Sequence, residues 1–122
     1  MAGQKILIID GDTDIRRGLN IRLRASSYTT TFAGDGAGAI SVARKEQPDL
    51  ILLDLGLPAG DGFQVLERLK MNTELAHIPV IVLSARDPEA NEKRAMKAGA
   101  RACFQKPVDD EDLLEAIASA LR

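Results

Sequence analysis

Four runs of apolar residues punctuate the chain, and each closes on a polar group: KILIID at Lys5–Asp10, LILLD at Leu50–Asp54, PVIVLS at Pro79–Ser84 and the shorter ACFQK at Ala102–Lys106. Polar and apolar positions do not alternate within them, so each run has the pattern of a strand covered on both faces rather than one lying over water. A fifth run, TTTFA at Thr29–Ala33, is rich in β-branched residues and also predicts a strand. Helical spacing fills the gaps. Ile15, Leu19 and Leu23 recur every four residues, after Asp12 and Thr13 as caps, and predict a helix to about Ser26. Gly34-Asp35-Gly36 turns the chain into a second helix with Ala39, Ile40 and Ala43 inward, ending before Pro48. Phe63, Leu66 and Leu69 mark a third helix starting near Asp61. A fourth runs from Pro88 to roughly Lys97 and stops at Ala98-Gly99-Ala100. Asp109 to Asp112 lead the last, with Leu113, Leu114, Ile117 and Leu121 inward.

Strand and helix alternate five times. Parallel strands need crossovers, and crossovers supply helices for both faces, so the expected fold is α/β: a doubly wound, five-stranded parallel sheet with helices on each side. Right-handed crossovers then bring Asp10, Asp54, Ser84 and Lys106 to one edge, where ligands collect in such sheets. Asp54 stands out. An acid that ends a fully apolar strand and is followed by the Gly/Pro-rich LGLPAGDG has few structural uses.

Composition narrows the functions. At 122 residues the chain fits one domain, 1–122, with a real core. A net charge of -2 and 3% aromatic residues supply neither the field nor the stacking surface for nucleic acid. The lone Cys103 excludes an internal disulfide, and no run approaches the length of a membrane span, so the expected setting is the cytoplasm. Met1 to Gln4 reads as a frayed start. His77 falls in a polar connection and is expected in solvent, and Cys103 is expected as a small buried apolar residue.

Two carboxylates, a hydroxyl and an ammonium, without a histidine or reactive thiol, are poorly matched to acyl transfer. They suit a phosphoryl group with a hard divalent cation, since Mg²⁺ takes one or two carboxylates together with phosphate oxygens and water. Asp54, with Asp10 or Asp12 nearby, supplies those carboxylates, and Lys106 supplies the charge to neutralise a phosphoryl oxygen. A carboxylate so placed can itself attack phosphorus.

The blocks IIDGD (Ile8–Asp12), LLDLGLP (Leu52–Pro58), VLSA (Val82–Ala85), AGA (Ala98–Ala100) and QKP (Gln105–Pro107) resemble, in order and spacing, the receiver domain of two-component response regulators. The resemblance implies a flavodoxin-like fold with strand order 2-1-3-4-5. It implies Mg²⁺ as cofactor, held by Asp10, Asp54 and the backbone carbonyl of Gly56. Asp54 would accept a phosphoryl group from a sensor histidine kinase or histidine phosphotransferase, with Ser84 hydrogen-bonding that group and Lys106 pairing with it. Such a domain is a switch and not a turnover enzyme. It would signal to an effector domain or protein through the face of the fourth helix, fifth strand and fifth helix, with dimerisation through that face left open. The resemblance also implies a cis bond between Lys106 and Pro107, and in receivers the first helix docks the kinase, which singles out Arg16 and Arg17.

Two positions depart from the family pattern. Gly11 stands where the second acid of a pair would ligate metal, so Asp12 is a candidate substitute ligand and weaker metal affinity is expected. Cys103 stands where an aromatic would report the switch, with Phe104 in the next, core-facing slot. Two alternatives follow: a pseudo-receiver that binds partners without phosphorylation, and a haloacid-dehalogenase-like phosphatase using Asp10, whose Asp10-Gly11-Asp12-Thr13 resembles that nucleophile motif.

Overall fold

The computed structural model describes residues 3–57, 62–85 and 88–122. Its elements alternate as β1 (Lys5–Ile9), α1 (Thr13–Ala25), β2 (Thr29–Ala33), α2 (Gly36–Glu46), β3 (Leu50–Asp54), α3 (Gly62–Met71), β4 (Val80–Ser84), α4 (Pro88–Lys97), β5 (Ala102–Gln105) and α5 (Asp110–Ala120). The expected start of the third helix near Asp61 lies outside the described residues. All neighbouring strands are parallel, in the order β2-β1-β3-β4-β5. This is the flavodoxin-like arrangement implied above.

The unbroken apolar runs are explained by two cores, one on each face of the sheet. Leu7, Ile9, Ile51, Leu53, Val80 and Val82 point to one side and meet Ala39, Ala43, Phe63, Leu66, Leu69 and Ala95 of α2, α3 and α4. The intervening residues Ile6, Ile8, Leu50, Leu52, Ile81 and Leu83 point to the other side and meet Leu19, Leu23, Leu113 and Ile117 of α1 and α5. Side chains alternate along a strand, so a strand apolar at every position is one buried twice. The edge strands β2 and β5 are less covered, which fits the threonines of one and the mixed ACFQ of the other.

The helix ends follow the local chemistry. Asp12, Asp35 and Asp109 cap α1, α2 and α5, each accepting from backbone N–H groups of the first turn. At the end of α4, Gly99 adopts φ +106°, and a Cβ there would lie 3.0 Å from Cγ of Lys70, so that stop demands glycine. Two readings need correction. Gln4 is not frayed: its carbonyl accepts from Thr29 N at 3.0 Å and extends the β1–β2 ladder. The connection before β4 is not simply polar, because Leu75 and Ile78 are buried in it while His77 is exposed. There Lys70 Nζ donates to the carbonyls of Ala76 and Ile78, and its pKa is lowered by burial and by the nearby Arg101. On α1, Arg16 turns back to donate to the Asp10 carbonyl at 2.8 Å.

Candidate functional site

Because α1 and α3 leave the sheet toward opposite faces, the loops after the adjacent strands β1 and β3 separate and open a cleft at the carboxyl edge. The cleft is a cavity of about 790 Å³ whose wall includes Asp10, Asp12, Asp54, Ser84 and Lys106. The four polar strand ends therefore meet, as the crossover argument requires. Two backbone bonds continue the ladders past the last sheet residues and fix the outermost members: Asp10 N donates to Ala33 O at 3.1 Å and Lys106 N to Ser84 O at 2.8 Å.

At the centre, the Lys106 ammonium lies 2.9 Å from Asp10 Oδ2 and 3.3 Å from Asp54 Oδ1. Asp10 is buried, only 1% exposed, and its other oxygen accepts from Asp12 N at 2.9 Å. A buried carboxylate with no partner would be costly, and here both oxygens are engaged. Asp54 is more open, and its Oδ1 also accepts from Gly56 N at 3.0 Å. Ser84 is 3% exposed, and its hydroxyl accepts from Asn91 Nδ2 of α4 at 3.3 Å. The Lys106–Pro107 bond is cis.

Asp12 sits on the cavity wall, but its Oδ1 accepts from both Asp14 N and Ile15 N as the cap of α1. Serving as a substitute ligand would compete with that cap. Asp10 and Asp54 nonetheless offer hard oxygen donors to one wet space, with the Gly56 backbone on the same wall, which is the donor chemistry a Mg²⁺ ion takes when it keeps several waters. Among the described residues no group of three or more His, Cys, Asp or Glu side chains gathers as a metal cluster. The doubly engaged, buried carboxylate of Asp10 argues against its use as the nucleophile of a phosphatase.

Sequence reasoning missed four contributors. Phe63, expected only as a marker of the third helix, also lines the cavity, and the Arg94 guanidinium carbon lies 3.8 Å from its ring centroid. Asn91 and Arg94 are three residues apart on α4 and share the face turned to the cavity, a spacing legible once the helix is placed. Gly62 looked like loop punctuation. A Cβ there would lie 2.4 Å from Leu55 Cα and 2.8 Å from the Asp54 carbonyl oxygen, so α3 seats its first residue directly on the backbone that carries Asp54. Cys103 is half-buried against the α2–α3–α4 core, and burial, aided by Glu92, raises its pKa. Phe104 packs on the opposite core, with α1 and α5.

The cleft thus sits at the switch point of a 2-1-3-4-5 sheet and holds two acids, a lysine and a hydroxyl. A sequence model of the response regulator receiver domain matches residues 6–118. The chain is 33% identical over 117 residues to protein PilH of Pseudomonas aeruginosa, covering 96% of this chain and 97% of that protein. Of the response regulator PleD of Caulobacter vibrioides it spans 26% of the length, and of the transcriptional regulator RpaA of Synechocystis 49%. A response regulator structure from Chloroflexus aurantiacus superposes with a TM-score of 0.93 at 25% identity, covering 98% of each chain. The receiver domain of a sensor histidine kinase of P. aeruginosa, solved with a magnesium ion coordinated in its active site cleft, superposes with a TM-score of 0.89 at 25% identity, again over 98% of each. The chain belongs to the response regulator receiver domain family. Domains of this family work in two-component signalling, with histidine kinases or phosphotransferases on one side and effectors on the other. Among the described residues no helix is long and apolar enough to cross a membrane.

Proposed function

We propose that this receiver domain accepts a phosphoryl group on Asp54 from a histidine kinase or histidine phosphotransferase in the cytoplasm, and acts as a switch rather than a turnover enzyme. The observation that carries the reading is the ammonium of Lys106 held between Asp10 and Asp54 at the cavity. In this reading Asp54 attacks phosphorus. Lys106 moves its charge from the carboxylates to the incoming phosphoryl oxygens, and the Ser84 hydroxyl donates to another of them. Asp10 keeps Lys106 oriented. A divalent cation, held by Asp10, Asp54 and the Gly56 carbonyl, would supply the remaining positive charge; transfer of this kind depends mainly on positioning and electrostatics.

The output reaches the α4–β5–α5 face through Asn91. Once the Ser84 hydroxyl turns to a phosphoryl oxygen, its bond from Asn91 is released and α4 loses that anchor, a route that does not need the aromatic absent at Cys103. Incubation with acetyl phosphate and Mg²⁺ tests the proposal. A phosphoryl adduct, seen by intact mass and absent from Asp54→Asn, is the expected result; no adduct at high Mg²⁺ would overturn it in favour of the pseudo-receiver, the reading that Gly11 and Cys103 keep open.

A further inference from the structure

The half-buried Arg16 reaches back from the first turn of α1 over the end of β1. Its Nη1 donates to the Asp10 carbonyl at 2.8 Å, and its Nη2 donates to Thr13 Oγ1 at 3.5 Å. The guanidinium also lies over the turn that follows β2, where a Cβ on Gly34 would stand 2.8 Å from Nη1. Asp10 is therefore held at both of its backbone groups, since its N–H donates to the Ala33 carbonyl at 3.1 Å. The next residue, Gly11, has no side chain to restrain the turn it begins. That turn presents the Asp12 N–H, which Asp10 Oδ1 accepts at 2.9 Å, while Asp10 Oδ2 faces the Lys106 ammonium at 2.9 Å. We infer that Arg16 is a positioning residue for the phosphoryl-accepting site: by gripping the Asp10 carbonyl it sets the Asp10–Gly11 peptide plane, and so keeps the Asp10 carboxylate turned toward Lys106 and toward the place of a divalent cation.

The inference rests on the reading of Asp10 as a metal-holding carboxylate beside the acceptor Asp54, and it follows from the order of the contacts. A peptide unit is planar and turns as a whole, so releasing the Asp10 oxygen lets the Asp10–Gly11 peptide rotate and carry the Asp12 N–H away from Oδ1. Mg²⁺ tolerates little departure from octahedral geometry, and an oxygen donor that swings freely binds it less well. Groups that stand behind a metal-holding side chain typically contribute about ten- to hundredfold to affinity. Charge works in the opposite sense. A guanidinium near the site repels a cation, so removing Arg16 would tighten Mg²⁺ binding if it acted through its field alone, and weakens binding if it acts by position. Gly34 gives a second handle on the same contact, because a methyl group there meets the far end of the Arg16 side chain and no backbone atom.

The test uses the wild type, Arg16→Ala, Arg16→Lys, Gly34→Ala and the double variant Arg16→Ala with Gly34→Ala, with thermal unfolding by circular dichroism to show that each is folded. Exchange of the Asp12 amide with water is followed by NMR in the metal-free protein, and Mg²⁺ affinity is measured by titration calorimetry. Arg16→Ala is expected to speed Asp12 exchange about fivefold and to weaken Mg²⁺ binding about tenfold. Arg16→Lys, which keeps the charge and a donor but not the planar fork, is expected to lose less than about threefold in affinity. Gly34→Ala is expected to weaken Mg²⁺ binding although Arg16 is still present, and the double variant to bind as Arg16→Ala does, since one contact can be lost only once. Unchanged Asp12 exchange, unchanged or tighter Mg²⁺ binding in Arg16→Ala, or losses that add in the double variant overturn the role of Arg16 while leaving Asp54 as acceptor intact. A wild type that binds no Mg²⁺ overturns both this role and the cation of the proposed function. A wild type that binds Mg²⁺ but that acetyl phosphate does not label overturns Asp54 as acceptor and leaves the positioning of Asp10 standing.

Discussion

Replacing Lys106 with methionine isolates the interaction on which the site is built. Its ammonium is 2.9 Å from one Asp10 oxygen and 3.3 Å from one Asp54 oxygen, and the three side chains are 15%, 2% and 12% exposed. At an effective dielectric of about 20, each contact represents roughly 5 kcal/mol of gross attraction. Desolvation of the ions, at several kcal/mol each, offsets most of that. What counts in the variant is that Asp10 is left buried beside a second carboxylate with no cation between them. Removing one member of a buried pair typically costs about 3–5 kcal/mol, and the open cavity next to Asp54 softens this to roughly 2–4 kcal/mol. For a chain of this length that corresponds to about 4 °C in Tm per kcal/mol. Urea unfolding followed by circular dichroism measures it. The decisive comparison is Lys106→Met with Asp10→Asn, in which the stranded charge is removed as well. The double variant is expected to recover at least about 1.5 kcal/mol relative to the single one. If Lys106→Met unfolds within about 0.5 kcal/mol of wild type, or the second change recovers nothing, the ammonium does not hold the two carboxylates together in the way argued here.

Gly62→Ala should cost about 2–4 kcal/mol in urea unfolding and slow labelling of Asp54, because its Cβ would lie 2.4 Å from Leu55 Cα; wild-type values for both would refute the close packing. Gly11→Asp should tighten Mg²⁺ binding by about tenfold or more, measured by titration calorimetry, and an unchanged affinity would show that position 11 does not face the metal. Asn91→Ala should lose about 1 kcal/mol and speed hydrogen exchange in α4 of the unphosphorylated protein, whereas unchanged exchange would remove Asn91 from the switch. The Cys103 thiol, with its pKa raised by burial and by Glu92, carries less thiolate than an ordinary cysteine at any pH below that raised value. Iodoacetamide should therefore react with it more slowly in the folded protein than in the urea-unfolded chain at about pH 8, and the gap should narrow as pH rises; equal rates at pH 8 would contradict the burial.

The elements, their order and the acids at the strand ends were all legible in the chain, because strands buried on both faces must be apolar throughout and an acid that ends one interrupts that pattern visibly. The convergence of Asp10, Asp54, Ser84 and Lys106 on one edge also followed from the sequence, since parallel strands with right-handed crossovers carry their carboxyl ends to the same side. Other features were decided only in three dimensions. That Lys106 spans two carboxylates and that Arg16 turns inward depend on distances between segments far apart or on choices among equivalent local partners. Arg94 and Asn91 look like ordinary polar residues of an amphipathic helix until α4 is set against β4 and α3. Gly62 reads as a loop residue until the backbone of Asp54–Leu55 is found directly beneath it. Periodicity reports which face of an element is buried, but what that element touches is fixed only when the sheet brings its neighbours alongside.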